Sequence, residues 1–138
     1  MAITGHKDLA EYILRLYRGK IVEVGIGKHP EVALLLKDRL DVTVTDVMCP
    51  RIHGIRFIRD DIFNPDIQIY KGASLIYSIR PPIDLQCAIA SVARKVDADM
   101  IIRPFASERA NIDKYFVESL VNYKDAAFYL YKRQVKER

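Results

Sequence analysis

Apolar residues recur along this chain at two alternating periods. In residues 7–18, KDLAEYILRLYR, Leu9, Ile13, Leu16 and Tyr17 stand at helical spacing, and Gly19 follows where a helix C-terminus favours glycine. Residues 20–25, KIVEVG, are short and β-branched, which predicts a buried strand. Pro30 suits the first turn of a second helix, where its missing N–H has no partner to lose. Val32, Leu35, Leu36 and Leu40 mark one face of that helix. Further strands are predicted at 41–46 (DVTVTD), 54–61 (GIRFIRDD) and 73–79 (ASLIYSI), the last stopped by Pro81-Pro82. The helix after it carries Leu85, Ala88, Ile89, Val92 and Val96. A fifth strand is predicted at 99–105 (DMIIRPF), a helix at 108–123 with Ile112, Phe116, Val117 and Leu120 inward, and a closing strand at 126–133 (AAFYLYKR).

Strands that alternate with helices predict one α/β domain over residues 1–138, a Rossmann-like, mostly parallel sheet of about six strands flanked by helices. Residues 1–19 form its N-terminal helix, 20–105 the ligand-binding core, and 106–138 a C-terminal helix and strand. Residues 47–55, VMCPRIHGI, are too short and proline-broken for a crossover helix and predict an irregular connection. In such folds ligands bind beyond the carboxyl ends of the strands, near the point where strand order reverses. Strand tips are therefore the places to look for chemistry.

Composition narrows the function classes. Half of the 138 residues are hydrophobic, enough for a substantial core and against wholesale disorder. No uncharged apolar run reaches the length of a membrane span, and residues 1–10 lack the pattern of a secretory signal, so a cytoplasmic location is expected. Cys49 and Cys87, with His6, His29 and His53, form no zinc-ligand spacing; no metal is expected, and the two thiols are predicted to be solitary and buried. The net charge is +4, with positive residues concentrated in 51–59 and 131–138. A basic surface attracts phosphate backbones, which makes nucleic acid a possible partner; a solvated surface is the alternative.

Several strand-tip residues are unusual. Gly25 and Gly27 follow the first strand, where one glycine permits a tight turn and the next a close approach of ligand to backbone. Pro30 stands at the third position of the GxGxxG pattern, so the motif is incomplete and a plain strand-to-helix turn is the alternative. Glu23 lies inside a strand expected to be buried, where a carboxylate needs a partner: a ligand cation, or an Arg or Lys of a neighbouring strand. Asp46 ends the second strand, 21 residues after Gly25, which is the spacing of an acid that accepts ribose hydroxyl protons; a turn or cap aspartate is the alternative. Asp60 and Asp61 end the third strand, where an acid suits an exocyclic amine and Ile62 or Phe63 a base; solvated turn aspartates are the alternative.

With these residues in view, VEVGIG, Asp46 and RDDIF resemble the cofactor half of the class I S-adenosylmethionine-dependent methyltransferases, over about residues 8–105. The resemblance implies that Glu23 lies near the methionine end of the cofactor, that Gly25 and Gly27 pack under it, that Asp46 holds the ribose hydroxyls, and that Asp61, with Ile62 nearby, faces the adenine. More closely, the short chain and YSIRPP resemble a small family of archaeal Rossmann-like proteins. Two features depart from the methyltransferase pattern. Amino-methylating members carry Asn or Asp, two prolines and an aromatic after the fourth strand, where this chain has Arg80-Pro81-Pro82-Ile83. A guanidinium cannot accept a hydrogen bond from an amine. The family also closes with an antiparallel two-strand hairpin, where one strand is predicted here.

Methyl transfer from a sulfonium asks mainly for alignment, so a missing general base does not exclude it. Ser78 and Arg80 are the candidate catalytic residues, with Tyr77 beside them and better suited to the core. The leading expectation is an S-adenosylmethionine-binding protein, a small methyltransferase of unassigned acceptor. Gly25, Gly27 and Asp46 would serve NAD(P) as well, although Glu23 and Glu31 disfavour a pyrophosphate and Lys28 favours one. A non-catalytic module that binds nucleic acid or a partner protein is the third reading. An exposed edge at the last strand would invite a homodimer.

Overall fold

The computed structural model describes residues 5–105, 108–112 and 114–134. Among these residues three α-helices, a short 3-10 turn at Ile67–Ile69 and seven strands are found; the helices and strands follow in the order α1 (His6–Leu16), β1 (Lys20–Val24), α2 (Glu31–Leu36), β2 (Asp41–Asp46), β3 (Arg56–Arg59), β4 (Leu75–Ile79), α3 (Ile83–Val96), β5 (Asp99–Arg103), β6 (Phe116–Tyr123) and β7 (Ala126–Arg133). The strands form one sheet in the order β3-β2-β1-β4-β5-β7-β6. The first five are parallel; β7 runs antiparallel to β5, and β6 antiparallel to β7. The chain moves outward from β1 to β3 and then returns to β4 on the other side of β1. The order therefore reverses between β1 and β4, where the tips of parallel strands leave a crevice.

Alternation along each buried strand divides the core between the two faces of the sheet. Ile21, Val44, Leu75, Tyr77 and Ile101 pack with Leu9 and Ile13 of α1 and with Val32 and Leu36 of α2. Val22, Val24, Ile76, Met100 and Ile102 pack with Ile89, Val92 and Ala93 of α3. Each full burial of such a side chain contributes about 1.5–3 kcal/mol. Tyr17 ends α1, and its buried hydroxyl donates to Asp99 Oδ2 at 2.8 Å, which fastens the helix to the start of β5.

Two of the apolar assignments on the first two helices do not hold. Leu16 and Leu35 are exposed, because α1 turns Leu9, Ile13 and Tyr17 inward and the six-residue α2 buries Val32, Ala33 and Leu36. Residues 47–55 form an irregular connection, as the proline-broken sequence predicts.

The C-terminal third departs most from expectation. No helix occupies the described residues of 108–123; Phe116–Tyr123 is a strand that pairs along its length with β7. A spacing of four, as in Ile112, Phe116 and Leu120, puts residues on one face of a helix and equally on one face of a strand. Pairing decided between them, since β7 needed a partner for its second edge. Val117 and Leu120, expected inward, are each 57% exposed. Lys124 and Asp125 form the hairpin turn, with Lys124 at φ 54°. The turn is tied to α1: Lys124 pairs with Glu11 at 2.9 Å, and the Asp125 N–H donates to Asp8 Oδ2 at 3.0 Å. The sheet thus closes with the antiparallel pair that the sequence had suggested was missing.

Candidate functional site

The turn after β1 owes its shape to two glycines in the left-handed region, Gly25 at φ 71° and Gly27 at φ 55°. The Gly25 and Ile26 N–H groups both donate to the Thr45 carbonyl, at 2.9 and 3.1 Å, so the turn is stitched to the end of β2. The next residue of β2 completes the join. Asp46 Oδ2 accepts the Gly27 N–H at 2.9 Å, and Oδ1 accepts the Met48 N–H at 3.0 Å. Each carboxylate oxygen retains a further acceptor position, so two hydroxyl donors can still be taken.

Gly27 and Asp46 line an open cleft of about 610 Å³, with Lys28, Met48, Cys49 and Arg51 among its other walls. A volume of this size is in the range of small-molecule sites. A Cβ added to Gly27 would meet nothing closer than the Gly25 carbonyl oxygen, at 4.0 Å, so a ligand can approach the backbone there. Cys49 is exposed in this wall, and Cys87 is exposed on α3. Both thiols were expected in the core. Cys49 instead falls in the irregular connection, and Cys87 sits beside a surface recess with Arg94 and Asn111.

Beyond Val47 lies a second recess of about 410 Å³, lined by Val47, Arg59, Asp60 and Asp61. Asp60 is a latch: its carboxylate accepts the buried Tyr70 hydroxyl at 2.6 Å and the Asp66 N–H at 3.0 Å. Asp61 is exposed, and its Oδ1 accepts the Phe63 N–H at 3.0 Å in a local turn. Ile62 is buried in the core on the α3 side, and Phe63 is exposed. Strand tips therefore bring Gly25, Gly27 and Asp46 into one bonded unit, with Asp61 in the adjoining recess.

Glu23 lies beneath that unit, on the face of the sheet that carries α1 and α2. It is 1% exposed, and its Oε1 makes no hydrogen bond of good geometry. Its neighbour on β4 is Tyr77, itself fully buried. No Lys or Arg pairs with Glu23 among the described residues. Burial pushes its carboxyl up to about 8; the Tyr77 hydroxyl works against that shift and Glu31 adds to it. Burial thus favours the neutral form of the group, as it does for an unpaired buried acid.

At the tip of β4, the Ser78 hydroxyl is buried and donates to the Val24 carbonyl at 2.7 Å, directly under the Gly25 turn. It buttresses that turn. Arg80 takes up a left-handed conformation, φ 57°, and its N–H donates to the Arg103 carbonyl at 2.6 Å. Its guanidinium lies 5.1 Å from the ring centroid of Phe105. His6 and His29 approach Glu31 at 4.0 and 3.8 Å. Burial lowers the His6 pKa, Glu31 opposes this, and Arg103, His29 and Arg80 add to it.

A profile of the Uncharacterised protein family (UPF0146) matches residues 6–133. The chain belongs to that family. A UPF0146 protein of Archaeoglobus fulgidus is 48% identical over 129 residues, covering 92% of this chain and 95% of the relative. Among solved structures, an rRNA methylase from Streptococcus thermophilus superposes with a TM-score of 0.65 at 13% identity, over 97% of this chain and 99% of that one. An amino pentose methyltransferase from Micromonospora echinaspora, solved with S-adenosylmethionine bound, gives 0.56 at 18% identity, over 94% of this chain and 63% of that one. The UPF0146 chain thus has the Rossmann-like fold of class I methyltransferases.

Some residues of this family member's site carried no sequence signal. His6 and Arg103 are far apart in the chain, and the placement of α1 against the sheet brings the two within electrostatic reach. Met48 and Cys49 enter the cleft wall from a segment with no periodicity. Among the described residues no group of His, Cys, Asp and Glu is arranged to hold a metal, and no helix is long and apolar enough to cross a membrane. Within the basic stretch 51–59, Arg56 pairs with Asp41 at 2.9 Å and Arg59 donates to the Val47 carbonyl at 2.9 Å. Residues 135–138 of the basic tail lie outside the described residues.

Proposed function

We propose that this chain binds S-adenosylmethionine in the 610 Å³ cleft and is a small methyltransferase. The observation that carries the reading is the Asp46 carboxylate, held by the Gly27 and Met48 N–H groups at the edge of the cleft with acceptor positions to spare. A carboxylate fixed in this way is preorganised to take both hydroxyls of a ribose. Gly25 and Gly27 leave bare backbone for the rest of the ligand. Asp61, in the adjoining recess, would accept the adenine amine, with Ile62 next to it buried in the core. Glu23 would answer the ligand's ammonium group. Bound S-adenosylmethionine supplies a methyl group already activated by the sulfonium, so the protein's work is to bind and align. Ser78 acts by buttressing the turn and Arg80 by orienting the acceptor. A cytoplasmic location goes with this reading.

One observation bears on NAD(P). A pyrophosphate is held at the N-terminus of the helix after the glycine turn. Here that helix, α2, has six residues and begins at Glu31, which brings negative charge to that end. Lys28 in the cleft wall is the feature that favours NAD(P).

Calorimetry with S-adenosylmethionine, S-adenosylhomocysteine and NAD, on the wild type and Asp46→Ala, tests the proposal. Binding of the first two that collapses in the variant is the expected result. Binding of NAD with no response to the others would replace it with the dinucleotide reading. Binding of RNA with a steep salt dependence and no small ligand would replace it with a nucleic-acid module.

A further inference from the structure

Arg80 holds an unusual position for an exposed cation. It is the first residue beyond β4, beside the crevice where strand order reverses. A residue with a Cβ adopts φ 57° only against steric resistance. The bond from its N–H to the Arg103 carbonyl at 2.6 Å fixes the backbone there. The side chain is not spent on an ion pair: no carboxylate among the described residues pairs with Arg80. It lies instead beside Phe105, a ring that is 53% exposed.

The surroundings are cationic. The charges of Arg80 and Arg103 both reach His6 and oppose its protonation, as does His29. Among the described residues, Glu31 is approached by both histidines, and Asp125 lines a recess with Arg103. A guanidinium offers donors only, in a planar fork that matches the two oxygens of a carboxylate or phosphate. An ammonium group brought here would meet like charge and no acceptor on Arg80.

We propose that the methyl acceptor carries an oxyanion, phosphate or carboxylate, on a flat ring. Arg80 binds the oxyanion, and the exposed face of Phe105 borders the ring. This deepens the methyltransferase reading and rests on it.

The test uses the full chain saturated with S-adenosylhomocysteine and titrated with phenyl phosphate, benzoate or benzylamine, followed by amide chemical shifts. Phenyl phosphate or benzoate should shift Arg80, Phe105 and His6, and benzylamine should not. Arg80→Gln should weaken oxyanion binding by about tenfold or more, and Arg80→Lys should restore part of it, because charge returns without the fork. Circular dichroism melts confirm that both variants fold. Benzylamine binding as tightly as the oxyanions, or oxyanion binding indifferent to Arg80→Gln, overturns the inference. If S-adenosylhomocysteine does not bind, the same titration runs on the unliganded chain. Arg80-dependent oxyanion binding there upholds the anion site and removes the cofactor reading, and its absence removes both.

Discussion

Gly27 donates its backbone N–H to Asp46 Oδ2 at 2.9 Å, joining the glycine turn of one strand to the acidic tip of the next. The contact makes the carboxylate a structural tie, and the proposed function gives it a second role as acceptor of ligand hydroxyls. The two roles separate by substitution. Asp46→Asn can keep one carbonyl acceptor for Gly27 or Met48, whereas Asp46→Ala loses both bonds. We expect Asp46→Ala to cost about 1–2 kcal/mol of stability in urea unfolding and Asp46→Asn less. Both should lower affinity for S-adenosylmethionine, by about tenfold or more in calorimetry. Wild-type affinity in Asp46→Ala would remove Asp46 from the site.

Gly27→Ala isolates the cost of the turn. The added Cβ has no neighbour closer than 4.0 Å, so the penalty is conformational, at φ 55°. A loss of about 1–2 kcal/mol is expected, with Gly27→Asn losing less because Asn tolerates this region. Equal losses for Ala and Asn in chemical denaturation would mean that the backbone shifts elsewhere instead.

Glu23 gives a prediction with a sign. Its carboxyl is held at about 8 when folded and near 4.5 in an ordinary environment. Between those values the folded chain keeps a proton that the unfolded chain has released. The Glu23 contribution is therefore most favourable below about pH 4.5 and declines as pH rises to 8, by a few kcal/mol. Glu23→Gln, nearly the same shape and without the proton, should flatten that slope in urea titrations at pH 5, 6, 7 and 8. An unchanged slope would show that Glu23 is ionised or hydrated. A cationic ligand answered by Glu23 should also expel the proton. Binding enthalpies of S-adenosylmethionine at pH 7 should then differ between Tris and phosphate in the wild type and agree in Glu23→Gln.

The two exposed cysteines form an internal control. Cys49 lies in the wall of the 610 Å³ cleft and Cys87 on α3. Saturating S-adenosylhomocysteine should slow maleimide labelling of Cys49 by severalfold and leave Cys87 unaffected, as read by mass spectrometry of the labelled peptides. Equal rates at both sites would move the ligand away from this cleft.

Dimerisation through the sheet edge stands as a proposal, with the edge moved from the last strand to β6. Among the described residues this eight-residue strand pairs on one side only, and it exposes Val117 and Leu120. Its one acid, Glu118, is paired with Arg109, and a free edge of this kind invites another strand. Light scattering at high concentration should find a dimer that Leu120→Lys dissociates; a strict monomer would end the idea.

Local pattern by itself determined much of this protein. β-branched runs marked β1, β2, β4 and β5, because a parallel strand buried on both faces must be apolar nearly throughout. Two glycines after β1 and an acid 21 residues later marked the positions that the structure joins in one bonded turn, because a tight turn is a need met by single residues. The segment 108–123 was not decided locally, since a spacing of four fits helix and strand alike and only the open edge of β7 chose between them. Nor was the state of Glu23: its charge depends on the depth at which the sheet places it and on Tyr77 beside it. The company of Arg80, with His6 from α1 and Phe105 beyond β5, also came from packing alone. Sequence settles what a short stretch of backbone requires. Contacts between distant segments, and the solvation they impose, exist only once the sheet is assembled.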